Sequence, residues 1–303
     1  MQIDKPCPCC GFMDLEFIGN KHSILRTNPA IEYRYWYCKN CFYRFQGNPD
    51  TNFEELYDEA YYRGLGGDKL VDYEFELNFP DQTVRNFEFA GILEVVESLR
   101  THSTTEKSDR CLNWLDFGCG NGAFVSYLNK LTQYAASGYD IGFAANEGKK
   151  SGINILEFEN LQEKSFEVIT AIEVLEHTDD PRAMIQLIHK LLKPGGLFFY
   201  TTGNSRPFSN NFLNWKYTSA SDVHIGFFEP QTMSKLLEEL GFKVQKCDNY
   251  SGWGNIYKYK VLKNLKIKKR RLGLFVPKFS PLVKALDRKF QLMAMPVGIR
   301  PKY

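Results

Sequence analysis

Thirteen residues, Leu112-Asn-Trp-Leu-Asp-Phe-Gly-Cys-Gly-Asn-Gly-Ala-Phe124, constrain this chain more than any others. An apolar run that reads as a strand ends in three alternating glycines, Gly118, Gly120 and Gly122, and a helix is expected to start behind them. Glycine lets the backbone turn sharply and lets a ligand approach without meeting a Cβ. After a strand, that combination holds nucleotide-like groups at the carboxyl edge of an α/β sheet. A purely structural glycine turn would look the same, so the reading depends on the rest of the chain.

The surrounding pattern agrees. Strands are expected at 112–117, 135–140, 153–156, 166–172 and 197–202, with helices near 121–131, 142–151, 181–192 and 230–241. Alternation of this kind gives parallel strands with crossover helices on both faces. Pro194-Gly195-Gly196 is expected to separate a helix from the next strand, while Pro230 and Gly241 bracket the last helix. Upstream, Asn52 is expected to cap a helix over 53–61 and Asp81 a helix reaching Arg100. The polar stretch 101–110 reads as a domain boundary. The division expected is a small module over 1–50, a helical connection over 51–110, an α/β domain over 111–257 and a basic extension over 258–303, the last supplying a sheet strand at 292–300.

Five of the eight cysteines lie before residue 42. Cys7-Pro-Cys-Cys10-Gly11 and Cys38-Lys-Asn-Cys41 are two C-x2-C pairs separated by 27 residues, the spacing of a closed tetrahedral zinc site. Cys7, Cys10, Cys38 and Cys41 are the expected ligands and Cys9 the spare. Four thiolates leave no open position, so the metal is expected to be structural. Tyr33, Tyr35 and Tyr37 alternate as in a strand, and the whole reads as a ribbon stabilised by its metal.

At 303 residues, with 43% hydrophobic and 24% charged side chains, the composition is that of an ordinary globular protein. No stretch of about 18 apolar residues is present and the N-terminus has no apolar h-region, from which a cytoplasmic location is expected. The net charge of +2 hides an asymmetry, since from Lys258 onward fourteen Lys/Arg face one acid, Asp287. Residues 256–271, in which lysines mix with apolar residues, suit contact with an acidic membrane surface or a phosphate-bearing substrate. A solvated basic face explains them equally well.

Asp140 ends the second strand, 22 residues after Gly118, where a carboxylate can accept both hydroxyls of a ribose. With it, Leu115-Asp-Phe-Gly-Cys-Gly-Asn-Gly122 resembles the cofactor loop of class I S-adenosylmethionine (SAM)-dependent methyltransferases. Phe166-Glu-Val-Ile-Thr-Ala-Ile-Glu-Val-Leu-Glu-His177 is similar to their fourth strand, and Leu192-Lys-Pro-Gly-Gly-Leu-Phe198 to the start of their fifth. The fold this implies is α/β, a Rossmann-like methyltransferase sheet carrying the N-terminal zinc ribbon and the basic extension. The resemblance further implies that Asp116, Gly118, Gly120 and Gly122 hold the methionine part of SAM and Asp140 its ribose. Glu157 and Phe158 would lie near adenine, and Ile172 and Glu173 beside the sulfonium.

For a base that deprotonates the acceptor, the candidates are His224 and His177. His224 lies in Ser221-Asp-Val-His-Ile-Gly-Phe-Phe-Glu-Pro230, similar to a His-containing segment of zinc-bearing sugar C-methyltransferases. Those proteins often carry Glu before the His, whereas Val223 stands here and Asp222 is one step off. Tyr61 and Tyr62 could reach an acceptor, although aromatic packing explains them too. The expected acceptor is a small molecule, above all a nucleotide- or lipid-linked sugar. Methylation of RNA, with the ribbon and basic tail binding phosphate, is the alternative.

Overall fold

The computed structural model of the protein describes residues 3–27, 30–50, 52–65, 73–101, 111–247, 259, 262 and 297–301. Three strands come first: β1 (Leu15–Thr27), β2 (Ala30–Cys38) and β3 (Arg44–Gln46). Short helices α1 (Phe53–Leu56), α2 (Glu59–Tyr62) and α3 (Tyr73–Asn78) precede the longer α4 (Arg85–Thr101). Then β4 (Leu112–Phe117), α5 (Ala123–Asn129), β5 (Tyr134–Tyr139), α6 (Phe143–Lys150), β6 (Ile155–Leu156) and β7 (Phe166–Ile172) alternate as expected. The chain continues through α7 (Pro181–Leu191), β8 (Leu192–Thr201), β9 (Gly226–Phe227), α8 (Pro230–Glu239), β10 (Phe242–Cys247) and β11 (Val297–Pro301).

Among the described residues, seven strands form the main sheet in the order β10-β11-β8-β7-β4-β5-β6. The pairs β8-β7, β7-β4, β4-β5 and β5-β6 are parallel, while β11 runs antiparallel to both β8 and β10. Side chains alternate across the sheet, and both faces are buried. Leu115, Phe117, Ile169, Ala171, Phe198 and Tyr200 face α7, α8 and the N-terminal strands. Trp114, Ala136, Val168, Leu197 and Phe199 face α4, α5 and α6. The carboxyl ends of β4, β5 and β7 therefore meet at one edge, above a core that fixes their register.

Several local expectations differ from the structure. The helix expected over 53–61 is broken, because Asn52 makes no side-chain cap and Asp58 instead caps α2 by accepting from Tyr61 N. Asp81 does not cap α4, which starts at Arg85; its carboxylate pairs with Lys130 at 2.8 Å. The Pro194-Gly-Gly turn lies inside β8 as a bulge, where the pairing shifts between Phe166 opposite Leu192 and Val168 opposite Leu197. Of the last strand expected at 292–300, the described part, 297–300, lies in β11. Of residues 256–271, only Tyr259 and Leu262 are described, packed with Val84 and Phe87. The expectations for membrane or phosphate contact lie outside the described residues. Among the described residues, no helix is long and apolar enough to cross a membrane.

The N-terminal strands do not stand apart. They form a second sheet, β1-β2-β3-β9, whose fourth strand belongs to the segment before α8. Arg44 of β3 forms a buried ion pair with Glu229 at 2.6 Å, and Thr232 Oγ1 of α8 donates to Cys41 O at 2.6 Å. Trp114 is fully buried and donates through Nε1 to Thr170 Oγ1 at 3.1 Å. Trp114→Ala is expected to lower stability by ~3–5 kcal/mol, read from the shift of the urea unfolding midpoint.

Candidate active site

The glycine turn takes a shape only glycine adopts without strain. Gly118, Gly120 and Gly122 have φ of 75°, 55° and 74°. A Cβ on Gly118 would collide with Val174, and one on Gly120 would come within 3.0 Å of the Tyr73 ring. Gly122 is the N-terminal residue before α5, so the helix starts two residues later than the sequence suggests. Asn121 holds the turn from both sides: its Oδ1 accepts from Ala123 N at 3.0 Å, and its Nδ2 donates to Tyr73 O at 2.9 Å.

Two carboxyl groups flank this cradle. Asp140, at the end of β5, accepts from Gly120 N at 2.7 Å and Gly142 N at 3.0 Å. Burial raises its pKa even so. Asp116 sits beneath the turn, 4% exposed, and accepts from Thr170 Oγ1 at 2.7 Å. Burial pushes it up to about 7, against the opposing hydrogen bond from Thr170 and the charge of Arg85. Both acids would gain from hydroxyl donors or a cation in the cradle, so the residues present fit the ribose and the charged part of SAM.

Along the same edge, Ile141 and Phe158 are exposed apolar side chains, 63% and 53% accessible. Phe158 leans on Tyr139 and fits a planar base. Glu157 is exposed and paired to Lys149 at 2.6 Å, so its carboxylate is directed along α6. Ile172 packs against the core beside β4 and Glu173 follows it. Glu173 takes φ of 55°, a left-handed conformation that costs energy for a residue with a Cβ. Such strain collects where a side chain must be aimed.

Beyond Glu173 the chain turns so that Glu176 and His177 face the loop carrying His224. Ligand-capable atoms of Glu176, His177 and His224 lie within 4.8 Å of one another, and the two imidazoles are 5.0 Å apart. A carbonyl oxygen only accepts, so each Nδ1 must carry a hydrogen. His224 Nδ1 donates to Tyr217 O at 2.7 Å, and His177 Nδ1 to Val223 O at 2.9 Å with Tyr57 Oη at 2.8 Å. Each neutral ring therefore presents Nε2 as the basic nitrogen. Glu176 is fully buried, and its pKa is pushed up to about 8 by that burial and by the charge of Glu173. Tyr217 Oη donates to it in a short hydrogen bond, Thr202 Oγ1 donates at 2.8 Å, and the Tyr217 ring stacks on His224 at 4.1 Å.

The structure thus brings both candidate histidines together and adds Glu176, Tyr57 and Tyr217. Glu176 stood three residues from Glu173 in the sequence, a visible signal. Tyr217, in an irregular segment, gave none. Tyr61 packs edge-on against Tyr57, and Tyr62 against Phe143 and Tyr73. Asp222 is 2% exposed and accepts from Ser23 Oγ and from Tyr33 Oη at 3.1 Å, so it anchors the loop to the ribbon.

The four expected cysteines converge as well. The Sγ atoms of Cys7, Cys10, Cys38 and Cys41 all lie within 4.8 Å, with Cys7–Cys41 at 3.7 Å and Cys10–Cys38 at 3.6 Å. Zn–S bonds of about 2.3 Å in a tetrahedron place sulfurs about 3.8 Å apart, so the set fits such an ion. The two halves match: Gly11 N donates to Cys7 O and Phe42 N to Cys38 O, each at 2.8 Å. Both turns end left-handed, at Gly11 (φ 75°) and at Phe42 (φ 65°). Cys9 is buried and outside the set.

Comparison with known proteins agrees with this geometry. Residues 77–246 match the model of a methyltransferase-domain family. The chain belongs to that family, and its fold is the Rossmann-like sheet of class I SAM-dependent methyltransferases. It is 34% identical over 105 residues to the ubiquinone biosynthesis O-methyltransferase of Pseudomonas syringae pv. tomato, covering 31% of this chain and 45% of that protein. The Coxiella burnetii protein of the same name is 34% identical over 114 residues, covering 34% and 47%. The match thus spans less than half the length of these relatives. In fold, the chain is similar to the Haemonchus contortus phospholethanolamine N-methyltransferase 2, with a TM-score of 0.50 at 16% identity, covering 86% of this chain and 62% of that one.

The buried carboxyl under the turn makes a stability prediction. Asp116 holds its proton up to about pH 7 in the folded protein but releases it near 3.8 when unfolded. Between those values the folded state binds the extra proton, so stability falls as pH rises. Glu176 and Asp140, also raised by burial, add to the same trend, so Asp116→Asn is expected to make the slope shallower without abolishing it, read from urea midpoints at a series of pH values.

Proposed function

We propose that the protein transfers a methyl group from SAM to a hydroxyl of a small-molecule acceptor. The observation that carries this is the meeting of two imidazoles, both with a basic Nε2, at the sheet edge that also holds the glycine cradle. When bound, SAM supplies an activated methyl on a sulfonium. The remaining work belongs to the chain's own side chains. The glycine turn and Asp140 would hold the cofactor, and the exposed side chains of Ile141 and Phe158 would offer apolar surface to its adenine. His224 takes the acceptor proton at Nε2, and His177 stands 5.0 Å away, ring to ring, to share it. The Tyr217 ring, stacked on His224 at 4.1 Å, favours the charged imidazole that results. Tyr57 and Tyr73 cover the cradle and limit water.

A hydroxyl acceptor accords with relatives named as O-methyltransferases. It also suits the missing Glu before His224, a feature of the carbon-methylating resemblance. The sugar acceptor is kept as one arm of the test. The RNA reading drew on the ribbon and the basic tail, and most of that tail lies outside the described residues. The four thiols are proposed to hold one structural zinc, and the protein to work in the cytoplasm.

Titration calorimetry with S-adenosylhomocysteine tests the cofactor: binding to the folded protein is expected, and its absence would sink the proposal. Methyl transfer is then measured against 3,4-dihydroxybenzoate and against a panel of nucleotide sugars. His224→Ala is expected to reduce turnover about 10²–10⁴-fold while leaving homocysteine-product affinity within twofold. Turnover unchanged by that substitution removes His224 as the base. Metal analysis is expected to find one zinc per chain in the wild type and much less in Cys38→Ser.

A further inference from the structure

The N-terminal ribbon supplies several of the contacts that hold the loop carrying His224, beside the bonds from Ile225 N to Glu176 O at 2.7 Å and from His177 Nδ1 to Val223 O at 2.9 Å. Ser221 Oγ donates to His22 O at 3.0 Å, and Asp222 is bound by Ser23 and Tyr33. The contact nearest the imidazole comes from Gln46, the last residue of β3. Its backbone N–H donates to Ile225 O at 2.9 Å. Its side-chain Nε2 lies 2.6 Å from Ser221 O, 3.1 Å from His224 O and 3.0 Å from Tyr35 Oη. The side chain is 3% exposed, and its Oε1 is buried with no hydrogen-bond partner.

That last fact is informative. A buried amide oxygen without a donor is a cost that an apolar side chain of similar length would avoid. The two amide hydrogens are shared among the carbonyls of residues 221 and 224 and the Tyr35 hydroxyl, and the opposite rotamer would set oxygen against the two carbonyl oxygens. Gln46 therefore behaves as a bracket across both ends of the turn that presents His224. The bracket has a fixed base. Cys38 and Cys41 close the turn from β2 into β3, Cys38 N donating to Tyr43 O at 2.9 Å. Arg44 and Phe45 then pair with Phe227 and Gly226 of β9.

We propose that Gln46 is a positioning residue for His224, and that through it the cysteine-held ribbon sets the tautomer and orientation of the candidate base. With the His224 carbonyl bound by Gln46, the imidazole is left to donate Nδ1–H to Tyr217 O and to stack on the Tyr217 ring. Without the amide, the 221–224 turn loses that restraint, and the ring loses its fixed donor geometry. The inference rests on the reading of His224 as the base. Its test uses a different observable from methyl transfer, so the two can fail separately.

The probe is the full chain with ¹⁵N-labelled histidine, with the His224 signals assigned by their loss in His224→Gln. The wild type is expected to show one neutral tautomer with hydrogen on Nδ1. In Gln46→Leu and Gln46→Met, His224 is expected to revert to mixed tautomers with a shifted titration midpoint, while S-adenosylhomocysteine affinity stays within twofold. Phe45→Leu, a change of buried packing at the next position of the strand, is expected to leave the His224 signals as in the wild type. A wild-type tautomer and midpoint in either folded Gln46 variant overturns the proposal, as does an equal disturbance in Phe45→Leu. If neither Gln46 variant folds, the amide serves the fold and not the imidazole, and the proposal also falls. Loss of homocysteine-product binding by the wild type would count against the methyl-donor reading alone.

Discussion

Carboxyl groups gathered at one edge of the sheet set the terms for everything above it. Asp116, Asp140, Glu173 and Glu176 end or follow strands that the core holds in parallel, so they cannot move apart without breaking register. Taking a carboxylate out of water is costly, and neighbouring charges add to the cost. The chain meets that demand locally. Thr170, Thr202, Tyr217 and the N–H groups of Gly120 and Gly142 donate to three of the acids. Asp116 and Glu176 nevertheless remain raised, to about 7 and about 8. An edge with this residual demand suits a ligand that brings hydroxyls and a positive charge, which describes the methyl donor of this family.

The second constraint is that a strand from the segment before α8 completes the N-terminal sheet. β9 is only two residues long, yet it ties β3 to the chain just after His224. In isolation so short a strand would have little stability. Here Phe227 is fully buried among Tyr33, Tyr35, Phe212 and Trp215, and Tyr43 packs on Phe228 at 4.8 Å. Aromatic packing anchors the loop, and the buried Arg44–Glu229 pair fixes its direction. The cysteine cluster thus belongs to a module whose free edge is completed by the chain just after His224. It does not hold a detached appendage.

Much of the molecule was legible in its sequence because periodicity and glycine report directly on backbone shape. The strands around Trp114 and Ile169 appeared as apolar runs, and Gly118, Gly120 and Gly122 as the turn. The two C-x2-C pairs were equally plain, since ligand spacing is local. What stayed hidden was set by tertiary contact. Asn52 reads as a cap, but Asp58 does the capping and splits the helix. Pro194 and Gly195 read as a breaker, but neighbouring strands absorb them as a bulge. Tyr217 lies in a stretch with no periodicity, and its place between Glu176 and His224 is decided by the fold. Asp222 is the clearest case: beside His224 it resembles a catalytic partner, but Ser23 and Tyr33, some 190 residues distant in sequence, claim its carboxylate.

The two histidines show why distant contacts matter to chemistry as well as shape. An imidazole in water exchanges its proton between both nitrogens, and only one arrangement makes Nε2 the basic nitrogen. Carbonyl oxygens from Tyr217 and Val223 impose that arrangement on both rings. Those carbonyls belong to the same loop, so the rings are coupled through the backbone: Val223 precedes His224 and binds His177. Any shift of the loop that freed one ring would release the other. An imidazole presented this way depends on the rigidity of the residues around it, to which the ribbon contributes through Gln46, Ser23 and Tyr33.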